Sequence, residues 1–130
     1  MATFENIGLC FQLVNNVYGL VNNMRDNANS YKQQVQLGRP LAGIASIMVS
    51  DANLYLIRIQ KITDLATRNM TAFTDALQAL GLTVAAANSL KNTLTTVANH
   101  TISATLVSDT DINTESDFIL ANVPNLERIF

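Results

Sequence analysis

The fold is decided by a tandem repeat of seven residues near the start of the chain, Leu13-Val14-Asn15-Asn16-Val17-Tyr18-Gly19 followed by Leu20-Val21-Asn22-Asn23-Met24-Arg25-Asp26. Five of the seven aligned positions are identical or apolar in both copies. A period of seven places equivalent residues on the same side of an α-helix. The repeat therefore predicts a long helix from about Thr3, a possible N-cap, to about Gln36.

Two adjacent apolar lines run along this predicted helix. The residues of the first line are Phe4, Ile7, Phe11, Val14, Tyr18 and Val21. Those of the second are Cys10, Leu13, Val17, Leu20 and Met24. Together they give the helix a wide apolar face, with the paired asparagines on the opposite side. A face of this width can form an intramolecular core or a contact between chains.

The first line changes character halfway when it is followed in steps of seven residues. The aromatic positions are Phe4, Phe11 and Tyr18. The cationic positions that follow are Arg25, Lys32 and Arg39. We expect the aromatic half to be buried, within the chain or against a partner chain. The cationic half is expected to lie nearer solvent, or to meet an acidic or carbonyl-rich partner.

Glycine and proline divide the middle of the chain. Gly38-Arg39-Pro40 predicts the end of the first helix and the start of a second, over about 40–80, which Ser50-Asp51 could split in two. Gly81 ends that helix, and Thr83 can cap a third over about 83–106. Two runs within these helices are also compatible with strands, namely Leu54–Ile59 and Thr101–Val107.

The last part of the chain is expected to contain a loop, a short helix and a tail. Ser108–Asp111 has the composition of a loop, and Thr114–Asp117 resembles a capping box that opens a helix to about Asn122. Pro124 then interrupts the pattern. The tail beyond it is apolar for a chain end, with Leu126, Ile129 and Phe130.

Composition narrows the functional classes. A chain of 130 residues suits a single domain, and its net charge of −2 with scattered cations does not indicate nucleic-acid binding. Charged residues make up 14%, against roughly 25% in an average soluble protein. The polar surface must come instead from uncharged groups, among them 15 Asn and 13 Thr. The longest charge-free run, Asn6–Met24, is too polar to predict a transmembrane segment. The N-terminus does not resemble a signal peptide, so we expect synthesis inside the cell.

Candidate chemistry is sparse. Cys10 cannot form an intrachain disulfide and is interpreted as a small buried hydrophobe. His100 has no Cys, Asp or Glu close to it in sequence and is interpreted as a structural or surface residue. Asp109–Asn113 begins like a calcium loop, but Thr114 and Leu120 stand where that loop needs Gly and Glu. We therefore predict no catalytic, cofactor or metal site, and a protein that is not an enzyme.

These patterns predict an all-α fold, with two long antiparallel helices in an elongated hairpin, a third helix and a short C-terminal helix. The functional hypothesis is a structural subunit that contacts copies of itself or other proteins, most plausibly in a viral or phage particle. The residues expected to make those contacts are Phe4, Phe11, Tyr18, Arg25, Lys32, Leu126, Ile129 and Phe130. The alternatives are a helical protein-binding or regulatory module and a bundle that binds a small apolar ligand.

Far-UV circular dichroism tests the fold class. The periodic apolar lines predict helix over about 65–75% of residues. A spectrum with substantial β-structure would mean that Leu54–Ile59 and Thr101–Val107 pair as strands, and the all-α prediction would then be wrong.

Overall fold

The protein is an all-α bundle of five helices in a computed structural model that describes residues 4–126, with side chains described from Ile7 onward. The helices are α1 (Phe4–Gln36), α2 (Leu41–Arg68), α3 (Met70–Ala79), α4 (Val84–Ser103) and α5 (Asp109–Asn122). No strand occurs in this part of the chain, and both runs with strand potential lack one. The all-α prediction is confirmed. The predicted N-cap, Thr3, lies outside the described residues.

Helix α1 contacts three other helices, α5, α3 and α2. Its N-terminal half buries Leu13 and Val14 against the α3 side chains Ala72 and Ala76. The C-terminal half buries five side chains in the main core, Leu20, Val21, Met24, Ala28 and Tyr31. The second apolar line therefore lies largely inside the bundle, because its N-terminal part faces α3 and its C-terminal part faces the main core.

Two glycines end helices as predicted. Gly38 and Gly81 both have positive φ, at 72° and 71°. At the first, the N–H of Arg39 donates to the Gln34 carbonyl at 3.1 Å. At the second, the N–H of Leu82 donates to the Leu77 carbonyl at 2.8 Å. This is the Schellman pattern, in which a left-handed residue lets the chain turn back on the last carbonyls.

The second predicted helix breaks at a different place from the one expected. It is continuous through Ser50-Asp51 and is interrupted at Asn69, which has φ −140° and ψ 55°. The Asn69 side chain donates from Nδ2 to the Leu65 carbonyl at 3.0 Å, while its own carbonyl accepts from the N–H of Phe73 at 3.0 Å. One asparagine thus satisfies backbone groups of both α2 and α3. Ser50 is exposed and Asp51 bonds to α1, so neither caps a new helix.

The bounds of the last two helices also differ from the prediction. Thr83 caps α4 through a 3.1 Å bond from the N–H of Ala86, but the helix ends at Ser103 rather than near Leu106. Helix α5 begins at Asp109, so the loop predicted at Ser108–Asp111 and the start predicted at Thr114 are wrong. The Ser108 hydroxyl accepts from the N–H of Asp111 at 3.1 Å, which makes Ser108 the N-cap. The N-cap of α5 thus lies six residues before the predicted one, Thr114.

A polar cluster joins α1 to α2 within the core. Tyr31 donates its hydroxyl to Asp51, and Asn27 donates from Nδ2 to the Tyr55 hydroxyl oxygen at 2.6 Å. Both tyrosines are buried, with 2% and 5% of their surface exposed. The contacts advance along α1 as they retreat along α2, so the two helices run in opposite directions here. Buried hydroxyls with partners of this kind specify one register of packing.

Alkaline titration tests this cluster. Burial, more than the neighbouring groups, raises the pKa of Tyr31 and of Tyr55 above the ordinary value of 10. A raised pKa in the folded state means that the contribution of these tyrosines to stability is complete below about pH 10 and is lost as pH rises above it. We expect tyrosinate absorbance from these residues to appear together with loss of helical dichroism. Tyrosinate formation at full helicity for all three tyrosines would contradict the buried cluster.

Candidate functional site

The candidate site is the solvent-facing side of α2, here called the α2 outer face and defined by Gly43, Ile47, Ser50, Leu54, Ile57 and Lys61. Each of these residues is exposed. The three large apolar side chains, Ile47, Leu54 and Ile57, expose 46%, 53% and 51% of their surface. Isolated exposed apolar residues are normal, but three along one side of one helix form a patch.

The patch exists because α2 is apolar on two sides. Its inner side buries Ile44, Met48, Ala52, Tyr55, Ile59 and Ala66 against the rest of the bundle. Between Leu41 and Ile57 the only charged residue is Asp51, which is bonded to Tyr31. The outer face therefore carries no charge until Lys61, and burying it would not strip water from an ion over most of its length.

The spacing of the outer face suits contact with another helix. Its residues follow one another at steps of four and three, which is the spacing of a coiled-coil contact line. Within residues 4–126, α2 is also the helix with the length and apolar content to cross a membrane, and α3 with α4 would do so only as a span bent by 84°. Apolar surface on both sides accounts for that property.

The predicted aromatic contact residues lie partly at the surface. Phe11 exposes 49% of its side chain and Ile7 exposes 43%, so this end of the first apolar line faces outward. Tyr18 is half-buried beside the smaller apolar cluster that α1 forms with α3. Nothing is described of the Phe4 side chain, which lies outside the described side chains. The structure therefore separates Phe11 from the α2 outer face, on a different helix.

The predicted cationic residues meet oxygen atoms of the same chain. Arg25 donates from Nη1 to the Leu120 and Val123 carbonyls, at 3.0 and 2.6 Å. These carbonyls lie at the C-terminal end of α5, which has no basic residue in its own last turn. Lys32 pairs with Asp117 of α5 at 2.6 Å. The oxygen atoms that Arg25 and Lys32 meet thus belong to the same chain, and their predicted contact with another chain stays a prediction. Arg39 lies exposed in the turn before α2.

The predicted C-terminal contact residues are only partly within the described chain. Leu126 is half-buried and packs against the main core. Ile129 and Phe130 lie outside the described residues. The contact hypothesis for the tail therefore stays a prediction.

One buried carboxylate was not predicted as a partner of the single histidine. Glu115, 3% exposed, has its two carboxylate oxygens 2.6 and 2.8 Å from Nδ1 of His100, and it accepts a 3.1 Å bond from the Thr101 hydroxyl. The His100 ring stacks on Phe118 with centroids 3.9 Å apart. A histidine held by a carboxylate can act as the general base that activates a nucleophile. In the described chain, however, no hydroxyl or thiol that could be the nucleophile is hydrogen-bonded to this ring.

The remaining reactive candidates, Cys10 and the acidic segment, make contacts within the bundle. Burial, followed by the nearby Asp75 carboxylate, raises the pKa of the Cys10 thiol and keeps it protonated. In the acidic segment, Asp111 accepts from the N–H of Val107 at 3.1 Å as part of the α5 cap. Between residues 4 and 126, no three His, Cys, Asp or Glu side chains are grouped as metal ligands.

Sequence reasoning missed the α2 outer face, although the signal was present. In the second helix, Ile44, Met48, Tyr55 and Ile59 form one apolar line at helical spacing, and Ile47, Leu54 and Ile57 fall outside it. Their spacing of seven and three residues is visible in the sequence. The periodicity does not indicate which of the two apolar sides of α2 the other helices cover.

Comparison of the chain with protein-family models, with curated proteins and with solved structures finds no match in any of the three.

The contrast between Arg25 and Lys32 tests how α5 is held. Arg25→Ala leaves two helix-terminal carbonyls without a donor and should lower the free energy of unfolding by about 1.5–3 kcal/mol, the range for hydrogen bonds to charged groups. Lys32→Ala removes a solvent-exposed ion pair, worth about 1 kcal/mol or less. Urea unfolding followed by circular dichroism measures both. Equal losses for the two variants would show that Arg25 does not hold the end of α5.

Proposed function

We propose that this protein is a non-enzymatic structural subunit that associates through helix contacts, and that the α2 outer face meets the same face of a second copy. The observation that carries the proposal is the line of three half-exposed apolar side chains on α2, uninterrupted by charge from Leu41 to Ile57 apart from the bonded Asp51. Interface centres are depleted of charged residues in the same way. A component of a viral or phage particle, present in many copies, is the setting that fits this role.

The order of residues on the outer face favours an antiparallel pair. In that arrangement Ile47 of each copy packs against Ile57 of the other, Ser50 lies opposite Leu54, and Gly43 lies opposite Lys61. Each large side chain other than the isoleucines then meets a small one, as interdigitated packing requires. A parallel pair in register would place the two Lys61 ammonium groups side by side, which is unfavourable. The pair has twofold symmetry, the commonest symmetry of homo-oligomers.

The pair is weak on its own. Full burial of a Leu or Ile side chain is worth roughly 1.5–3 kcal/mol, so six half-exposed side chains contribute roughly 5–9 kcal/mol. Association costs about 4 kcal/mol or more in lost freedom. The contact therefore forms at high concentration, or where neighbouring subunits add further contacts. Both conditions hold in a particle built from many copies.

A larger assembly needs a second contact surface, because a twofold pair is closed. The outward end of α1, with Ile7 and Phe11, supplies apolar surface on another side of the bundle. The proposal does not depend on an elongated shape of the protein. The chain exposes 7240 Å², whereas a compact monomer of this mass exposes roughly 6,800 Å². The positions of the exposed apolar residues, rather than the total exposed area, favour association.

Leu54→Asp tests the proposed pair. The new carboxylate lies in the centre of the outer face, and Arg58, four residues later, offsets part of the lower helix propensity of Asp. Sedimentation velocity at about 0.1–1 mM protein, the range of a weak pair, should show two-chain species for the unmodified protein and single chains for this variant. Far-UV circular dichroism should be the same for both.

Leu37→Asp is the matched control, because Leu37 is 71% exposed but lies in the turn after α1. It should associate like the unmodified protein, and Phe11→Asp should reduce only species larger than a pair. Single chains at the highest concentration for the unmodified protein would contradict the proposal. The proposal would also be contradicted if the unmodified protein bound lipid vesicles instead of itself and Leu54→Asp abolished that binding.

A further inference from the structure

A second apolar feature lies away from the α2 outer face, where four helices meet at the break between α2 and α3. It is a cleft of about 210 Å³. Leu20 of α1, Ile59 and Ala66 of α2, Leu77 of α3 and Leu94 of α4 line it, and all five are buried. These residues form what we call the floor of the cleft, a surface without ionisable groups.

The mouth of the cleft is formed by exposed residues, Thr67, Met70, Val84, Asn88 and Lys91. The cleft therefore has an apolar end in the core and a partly polar end at the surface, where Thr67, Asn88 and Lys91 lie beside the apolar Met70 and Val84. Asn69 lies beside the cleft with non-helical dihedral angles, so α2 and α3 are separate helices here. A continuous helix through this point would place α3 elsewhere.

The mouth of the cleft carries positive charge only. Lys91 is the only ionisable residue among those that line the cleft. The hydroxyl of Thr67 already donates to the Thr63 carbonyl at 2.8 Å, and that of Thr63 to the Ile59 carbonyl at 2.8 Å. The Asn88 amide and the Lys91 ammonium have no hydrogen-bond or ion-pair partner within residues 4–126. These two groups are the donors available to a ligand at the mouth.

We propose that this cleft binds a single-chain fatty carboxylate of medium length, with its acyl chain on the floor and its carboxylate at Lys91 and Asn88. A carboxylate has one charge and two acceptor oxygens, which matches one ammonium and one amide donor. The floor excludes water from the acyl chain, and its burial supplies most of the binding energy. This binding is separate from the association proposed above, and neither requires the other.

The dimensions of the cleft set the size of the ligand. A cavity of about 150 Å³ accommodates benzene, and pockets for drug-sized ligands begin at about 300 Å³. The volume here lies between these limits and excludes a bulky polycyclic ligand. Along α2, the lining extends from Ile59 to Thr67, about 12 Å at the helical rise, the length of an extended chain of about eight to ten carbons.

Titration calorimetry of the full chain with sodium decanoate, below its micelle concentration, tests the proposal. Decanoate should bind with one molecule per chain and raise the melting temperature. Decyltrimethylammonium, with the same chain and the opposite charge, should bind at least fivefold more weakly, because the only charge at the mouth is positive. Equal binding of the two would show that charge at the mouth plays no part and would overturn the proposal.

Two variants locate the site. Lys91→Gln should weaken decanoate binding about threefold to fivefold, the effect of one solvent-exposed ion pair, and should leave decanol binding unchanged. Arg39→Gln removes an exposed cation far from the cleft and is the matched control, with no expected change. Ala87→Phe, at a half-buried lining position, should fill the cleft and abolish decanoate binding. Its far-UV spectrum and urea midpoint show whether the bundle is still folded.

The outcomes separate this site from the α2 outer face. Leu54→Asp should keep full decanoate binding, since that residue is not part of the cleft. Loss of decanoate binding in Leu54→Asp, with retention in a folded Ala87→Phe, would place the ligand on the α2 outer face and overturn the proposal. Unchanged affinity in Lys91→Gln, or no binding of decanoate at all, would also overturn it. A chain that binds decanoate but never self-associates would refute the proposed function alone.

Discussion

Helix α2 is apolar on two sides, and a bundle of this length covers only one of them. The covered side meets α1 and α4 and includes the bonds from Tyr31 to Asp51 and from Asn27 to Tyr55. Those bonds fix which side of α2 faces inward, because a rotated helix would leave buried polar groups without partners. Ile47, Leu54 and Ile57 are left outside as a consequence. The core and the proposed contact surface thus depend on the same polar cluster.

Several of the few charged side chains make contacts between helices of the same chain. Arg25 holds the C-terminal carbonyls of α5, Lys32 pairs with Asp117, and Glu115 lies buried against His100 and Thr101. The surface that remains is largely uncharged. Such a surface does not repel further copies of itself, whereas a surface rich in like charges would. Scarcity of charge therefore favours both dense internal packing and association.

The sequence predicted the helices better than their contacts. The seven-residue repeat located α1, and the glycines at 38 and 81 located the turns after α1 and α3, because these signals are local. The break at Asn69 was missed, since an asparagine that serves two helices differs little in sequence from the many others here. The partners of Arg25 and His100 lie 95 and 15 residues away, and only the folded chain brings them together. The α2 outer face could be recognised only once the inner face was known.

Disulfide trapping most directly tests the proposed antiparallel pairing of the outer side of α2 with a second copy. The experiment uses a Cys10→Ala background, which removes the single native thiol. We predict that Ser50→Cys chains mixed with Leu54→Cys chains form mixed disulfide dimers under mild oxidation, faster than either variant forms dimers alone. Faster formation of the two same-variant dimers would indicate a parallel pair. Dimer formation no faster than that of Leu37→Cys chains would contradict pairing through this face.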